Sequence, residues 1–175
     1  MDPRRYAGNA AIGFTLIELV IVITIVAILA AVALPRFTAM QRDARIAKAQ
    51  ALFGSVRSAA ALAHARCLLD LSQGTGPCTL AGGRANMEGA AVAMINQYPA
   101  LSSSSGACAA GTRAVTGIAE AAQISDCSDG VTLSSGADPT TIQIVGATTP
   151  ASCQIAYAQA LAGFAPLMLL DTSGC

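Results

Sequence analysis

The chain has 175 residues, of which 54% are hydrophobic and 11% charged, and its length beyond an apolar N-terminal stretch leaves room for one small domain. The formal net charge is zero, but residues 36–71 carry six basic and two acidic side chains, whereas residues 72–175 carry two basic and six acidic ones. The acidic second part argues against nucleic-acid binding, which needs a basic surface.

The first predicted element is an apolar helix over residues 14–34 that contains a single charged residue, Glu18. As a helix this segment would rise about 31 Å, close to the thickness of the hydrocarbon layer of a bilayer. A charge in a membrane span costs roughly 2.5–3.5 kcal/mol, so an ionisable residue there indicates a function. We therefore expect Glu18 to meet a cation at membrane depth. The alternative is an ordinary signal-anchor helix with an incidental glutamate.

Thirteen residues, MDPRRYAGNAAIG, precede the apolar run. A secretory signal peptide places its apolar stretch before its cleavage site. Here the only plausible cleavage site, Gly13/Phe14, lies before the apolar stretch, so cleavage would leave the helix attached. The segment Gly13-Phe14-Thr15-Leu16-Ile17-Glu18, followed by the apolar run and Pro35, resembles the prepilin class of type IV pilins and pseudopilins.

The resemblance implies a leader, residues 1–13, that prepilin peptidase cleaves after Gly13, and N-methylation of the new N-terminus at Phe14. It also implies a single-pass inner-membrane protein that the inner-membrane assembly machinery builds into an extracellular homopolymer through the N-terminal helices. Glu18 would register the subunits by neutralising the Phe14 ammonium of a neighbour or of its own chain. Pro35 is expected to kink or break the helix, because proline removes a backbone donor.

The orientation in the membrane depends on this resemblance. Four basic residues follow the span within fourteen positions and two precede it, so a count of positive charges alone would leave the C-terminal part in the cytoplasm. The cysteines described below favour an oxidising compartment for that part. We therefore expect the leader in the cytoplasm and the C-terminal part outside.

Residues 36–71 are predicted to continue the helix, which would then cover residues 14–71. Apolar side chains recur at spacings of three and four, as on one face of a helix; they are Ile46, Ala49, Phe53, Val56, Ala60, Ala63 and Cys67. His64, the single histidine of the chain, lies in this segment. No second ligand, nucleophile or orienting carboxylate accompanies it, so we expect no catalytic or metal-binding role.

Turn-forming residues at 72–77 end the predicted helix, and residues 72–175 are expected to form a globular head. We expect a strand rather than a short helix at Gly89–Tyr98, a loop at Ser102–Ser105 and a short helix at Ala114–Ile124. Four further strands are predicted: Val131–Leu133, Thr140–Val145, Cys153–Ala158 and Leu167–Leu170. The fold class is α+β, with the long helix packed on a small antiparallel sheet.

Six cysteines all follow the span, and none belongs to a Cys-x-x-Cys pair, so zinc and haem sites lack support. An even number in a small exported domain indicates disulfides, with fifteen possible connectivities. Proximity in sequence favours Cys67–Cys78, Cys108–Cys127 and Cys153–Cys175. The segments 152–157 and 171–175 are similar to the closing strands of mannose-sensitive haemagglutinin-type pilins, and this similarity supports the last pair.

The function expected from these features is that of a structural pilin, with no cofactor, metal or enzymatic activity. The filament would serve adhesion or motility. Asp126, Asp129 and Asp138 near Gly130 could bind calcium, but acidic residues in turns explain them more simply. The alternative functions are a pseudopilin of a type II secretion system and a monomeric membrane-anchored domain. The absence of any catalytic constellation in the sequence argues against an anchored enzyme.

Overall fold

The computed structural model describes residues 14–74, 76–105, 114–125, 129–134 and 136–175. A long helix followed by short antiparallel strands confirms the predicted α+β class. The chain divides into two compact units, Met1–Gln41 and Arg42–Cys175. Helix α1, Leu16–Gln73, contributes residues to both units. Gly13 and the rest of the expected leader lie outside the described residues.

In the first unit, α1 is an apolar helix whose described side chains are all exposed. Pro35 lies within α1, and the helix continues beyond it. The break that we considered at Pro35 is therefore wrong, because one lost backbone donor does not outweigh the aliphatic and alanine residues on both sides, which favour helix. A kink at this position stays a prediction.

In the second unit, α1 buries one face that consists mainly of small residues. The buried positions are Ala49, Val56, Ala59, Ala60, Ala63, Cys67 and Asp70. Their spacing of three and four residues matches the predicted stripe, in which Ile46 and Phe53 are partly buried. Alanine at most of these positions lets the strands approach the helix backbone closely. One of the buried residues, Asp70, has a charged side chain, and the predicted apolar stripe did not include it.

The described strands of the second unit form three antiparallel sheets. The first has the order β1-β2-β3, the second pairs β4 with β5, and the third has the order β6-β7-β8-β9. A short helix, α2, lies between β5 and β6 at Gly117–Ala121. The strands are β1 Gly82–Met87, β2 Ala90–Ile95, β3 Tyr98–Pro99, β4 Ser104–Ser105, β5 Ala114–Val115, β6 Val131–Leu133, β7 Thr140–Ile144, β8 Gln154–Ala158 and β9 Leu167–Asp171.

Several local predictions differ from the structure. The single strand expected at Gly89–Tyr98 is divided by a turn at Asn96 and Gln97 into β2 and the start of β3. The segment Gly82–Met87 forms β1, which we did not predict, and it pairs with β2 through the turn Glu88-Gly89. The predicted loop at Ser102–Ser105 contains β4, and the predicted helix at Ala114–Ile124 begins with β5 before α2. Strands of two residues are too short to show an alternating pattern, and alanine content alone favoured a longer helix at the latter segment.

Two apolar clusters hold the second unit together. The larger one packs α1 against α2 and the inner face of the β6–β9 sheet, with Ile142, Ile155 and Tyr157 among its fully buried side chains. The smaller one packs α1 against β1 and β2. Each cluster contains a disulfide, Cys153–Cys175 in the larger and Cys67–Cys78 in the smaller. Cys108 and Cys127 lie outside the described residues.

Candidate functional site

Two of the residues that the sequence singled out, Phe14 and Glu18, lie at the start of α1. Thr15 precedes the helix, and its Oγ1 accepts a hydrogen bond from the backbone N–H of Glu18 at 3.3 Å. The carbonyl oxygen of Thr15 accepts from the N–H of Leu19 at 3.2 Å. Thr15 therefore caps the helix, and Glu18 occupies the first turn, where the positive end of the helix dipole favours a carboxylate. Sequence reasoning missed this cap, although the Thr-x-x-Glu spacing signals it.

Phe14 lies directly before this cap, and its side chain is 77% exposed. Cleavage after Gly13 would turn the Phe14 nitrogen into an ammonium, four residues from Glu18. In the structure, Glu18 has no cationic partner within the described part of the chain, in which the single ion pair joins Arg66 to Asp70. The carboxylate and a new ammonium would thus be two complementary charges at one end of an apolar helix.

The apolar surface that follows extends along α1 as far as Leu34. An 18-residue window of this helix has a mean hydropathy of 3.0, and none of it is buried. By length and composition, α1 is the one described helix that could cross a membrane. Large aliphatic side chains such as Ile17, Ile28 and Leu34 are each more than 60% exposed. An exposed apolar surface of this size requires a lipid or protein environment.

The other titratable residues singled out in the sequence have structural contacts. His64 Nδ1 lies 2.9 Å from the carbonyl oxygen of Gln97, and because a carbonyl only accepts, this nitrogen carries the hydrogen. The His64 ring stacks on Tyr98 with 4.1 Å between the ring centroids. These contacts attach α1 to the turn before β3. They give His64 a packing role.

The calcium alternative gains no support from the described residues. Asp126 lies outside them, Asp129 accepts a hydrogen bond from the N–H of Ser125 at 2.7 Å, and Asp138 accepts one from the N–H of Gln159 at 3.3 Å. In the described segments, no group of three or more His, Cys, Asp or Glu side chains is placed to hold a metal ion.

Sequence reasoning also missed two contacts that attach the basic part of α1 to the rest of the second unit. Lys48 Nζ donates to the carbonyl oxygens of Asp129 and, at 3.0 Å, Gly130. Arg45 Nη1 donates to the carbonyl oxygen of Cys175 at 3.1 Å. Part of the excess positive charge on residues 36–71 therefore binds backbone oxygens of the same chain. No sequence pattern could show it, since the partners are backbone atoms far along the chain.

Comparison with known proteins identifies the N-terminal segment. Residues 9–34 match the family model described as the prokaryotic N-terminal methylation motif. The chain is 53% identical over 51 residues to the type IV narrow pilus major component PilA5 of Thermus thermophilus, a match that covers 29% of this chain and 44% of that protein. The chain thus spans less than half the length of this curated relative. No solved structure matches the chain significantly. The similarity to a type IV pilin thus covers 51 residues, and the methylation motif includes residues 16–34 at the start of α1.

Proposed function

We propose that this protein is a structural, non-enzymatic subunit that polymerises into an extracellular type IV pilus. The observation that supports this most directly is the exposed apolar segment of α1 with one carboxylate, Glu18, in its first turn. The methylation motif and the pilin relative support the same function. Before assembly, the segment 14–34 would anchor the chain in the inner membrane as a single span; afterwards it would pack against other copies.

Processing would proceed at Gly13/Phe14. Prepilin peptidase would remove residues 1–13, and the nitrogen of Phe14 would be methylated and remain cationic. The inner-membrane assembly machinery would then take the mature chain from the bilayer into the filament. The Thr15 cap helps here because it satisfies an N–H of the first turn through its own hydroxyl. The Glu18 carboxylate thereby stays available for the ammonium of Phe14.

Pairing of Glu18 with Phe14 would set the register of the subunits. An unpaired charge among apolar helices is strongly unfavourable, and removal of one partner of a buried ion pair costs about 3–5 kcal/mol. A subunit is therefore accepted only where its carboxylate meets an ammonium. For the finer assignment, we propose the mannose-sensitive haemagglutinin-type subgroup and a role in adhesion or motility, on the resemblance of residues 152–157 and 171–175.

The decisive experiment replaces Glu18 by alanine in cells that assemble the filament. Insertion should not suffer, since the span becomes more apolar. We expect the chain to be processed and folded, while the yield of surface filament falls at least tenfold. Thr24→Ala is the matched control, because it removes a polar group of the same span whose hydroxyl bonds only to the Ile21 carbonyl oxygen.

Three measurements separate the outcomes: filaments seen by electron microscopy, the mass of the mature chain, and its partition into membranes. The mature chain should begin at Phe14 and be one methyl group heavier than the unmodified peptide. Normal filaments from Glu18→Ala subunits alone would contradict the pairing mechanism. An unmutated chain that stays monomeric in the membrane would instead favour an anchored domain. Polymers found only when a secretion system is overproduced would favour a pseudopilin.

A further inference from the structure

The hairpin of β8 and β9 exposes a group of large apolar side chains. Strand β9 is an edge of its sheet, in which it pairs with β8. Its side chains alternate: Met168 and Leu170 pack on the larger apolar cluster, whereas Leu167 and Leu169 are exposed. The connection between the strands adds Leu161 and Phe164, which are 71% and 70% exposed. We call the four exposed residues 161, 164, 167 and 169 the β9 face.

A second exposed apolar group lies on α1, within the same unit. Leu62, Leu68 and Leu69 are exposed on the part of the helix that follows Arg57. Arg57 precedes these leucines and Arg66 lies among them; both arginines are exposed, and Arg66 pairs with Asp70. We call the three leucines and two arginines the α1 face. Isolated exposed leucines are common on proteins, but clusters of them mark interaction sites.

The two faces are complementary in charge. Residues 136–175 contain two charged side chains, Asp138 and Asp171, both acidic and both exposed. Residues 57–70 carry Arg57, Arg66 and Asp70, a net charge of +1 (two arginines and one aspartate), and because Arg66 pairs with Asp70, the positive charge left for a partner is that of Arg57. Contact between two copies of the β9 face would bring like charges together, whereas contact between a β9 face and an α1 face pairs opposite charges.

We propose that the β9 face of one copy of this chain docks on the α1 face of a second copy. This proposal rests on the polymerising function proposed above, and it assigns a contact between the folded parts of neighbouring subunits. The two faces differ, so the contact is heterologous and leaves one free face of each kind at the ends of the assembly. A contact of this kind extends into a filament.

The test places a positive charge in the β9 face. Leu169→Arg would bring a like charge to the positively charged α1 face of the second copy, and the Leu169 side chain is 57% exposed, so the fold should tolerate the change. Val145→Arg is the matched control, since Val145 is also 57% exposed and lies outside both faces. We expect Leu169→Arg to lower the filament yield at least tenfold, with processing and disulfides unchanged. Val145→Arg should leave the yield within twofold of normal.

If Leu169→Arg impairs folding, photo-crosslinking tests the proposed contact instead. A photo-crosslinking phenylalanine analogue at position 169 keeps an apolar side chain at that position. In assembled filaments we expect it to react with a peptide from residues 57–69 of another copy, as mass spectrometry would show. Crosslinks to any other segment, or normal filaments from Leu169→Arg, would overturn the proposed contact while leaving the pilin function intact. An unmutated chain that forms no filament would overturn the function itself.

Discussion

Tyr157 shows how one buried side chain connects separate elements of the second unit. Its hydroxyl donates a hydrogen bond to the carbonyl oxygen of Pro99 at 2.6 Å, and so links β8 to β3 in a different sheet. The residue is fully buried in the larger apolar cluster. Burial, with a smaller contribution from nearby Tyr98, raises the pKa of Tyr157 well above its ordinary value. The folded state therefore keeps this phenol protonated.

Tyr157→Phe should destabilise the fold at neutral pH by about 1–2 kcal/mol, because the buried Pro99 carbonyl loses its donor. The difference should shrink at alkaline pH. Above about pH 10 the unfolded tyrosine ionises while the folded one does not, so the unmutated protein loses stability as pH rises and the phenylalanine variant lacks this loss. Denaturant unfolding of both full-length proteins at two pH values measures this. A difference that stays constant between neutral and alkaline pH would contradict it.

At the scale of residues, sequence reasoning depends on local signals. Gly13, Phe14 and Glu18 lie within six positions, and the resemblance of this segment to prepilins implies their roles, which stay predictions. Tyr157 and Lys48 act on backbone carbonyls 58 and 81 positions away, which no local pattern encodes. Asp70 pairs at 3.0 Å with Arg66, which is four positions before it on the same helix and therefore a local signal, but the burial of Asp70, which is 3% exposed, is not one. From the sequence alone, a carboxylate near the end of a helix is expected to be exposed to solvent.

At the scale of elements, two glycines differ in their surroundings. One of them, Gly117, explains why α2 was predicted with the wrong bounds. Gly117, the first residue of α2, has a φ of +67°, and a Cβ there would overlap the carbonyl oxygens of Leu101 and Ala100. The chain must therefore turn sharply after β5 before the helix can begin. Gly54 lies within α1, and a Cβ there would meet nothing within 4 Å. The amino-acid composition does not distinguish the two positions, although a Cβ would overlap neighbouring atoms at position 117 and would meet none at position 54.

This difference predicts opposite effects of the same substitution. Gly117→Ala should lower the free energy of unfolding by at least about 2 kcal/mol, from the unfavourable φ and the overlap with two carbonyl oxygens. Gly54→Ala should raise it by about 0.5–1 kcal/mol, since alanine favours helix and nothing is displaced. Denaturant midpoints of the two full-length variants provide the comparison. Equal losses from both would show that the tight turn before α2 does not form.

Strand predictions followed the same division between local and distant signals. Burial alternates along β7 and β8, and the large apolar side chains Ile142, Ile144, Ile155 and Tyr157 take buried positions, although Thr140 is also buried and Ala156 and Ala158 are only partly buried. Strand β1, with the sequence GGRANM, has little apolar character and is held by pairing with β2 and by an isolated bridge between Cys78 and Gly83. Its formation depends on a turn in which Glu88 and Gly89 both have positive φ. Such a turn is usually signalled by Asn-Gly rather than Glu-Gly.

At the scale of the whole molecule, the uneven distribution of charge along the chain bears on whether the filament has two different ends. The excess of basic residues lies on α1 and the excess of acidic residues lies beyond it. Within one chain, Arg45 and Lys48 bind backbone carbonyls of the second unit, while Arg57 keeps its charge exposed. A polymer in which the β9 face meets the α1 face pairs the remaining charges between copies. Such a polymer is polar, since its two ends expose different faces.

Polarity predicts an asymmetry between two variants expressed together with the normal chain. Leu169→Arg should prevent binding through the β9 face. Leu69→Glu should prevent binding through the α1 face, because it places an acidic group opposite Asp138 and Asp171 of the other copy. In a filament that grows at one end, one variant can still join through its intact face and then block the next addition. The other variant cannot join at all. One variant should therefore shorten filaments in inverse proportion to its share of the subunits, while the other is excluded and leaves their length unchanged.

Electron microscopy of filament length and mass spectrometry of filament composition measure the two effects independently. The blocking variant should be found in filaments at a low level that accounts for their number of ends, and the excluded variant should be absent from them. If both variants shortened filaments equally, the contact would be one that a face makes with its own kind, because only then do the two ends respond alike. If both were incorporated throughout filaments of normal length, neither face would carry subunit contacts, and the apolar side chains of the β8–β9 hairpin would need a different partner.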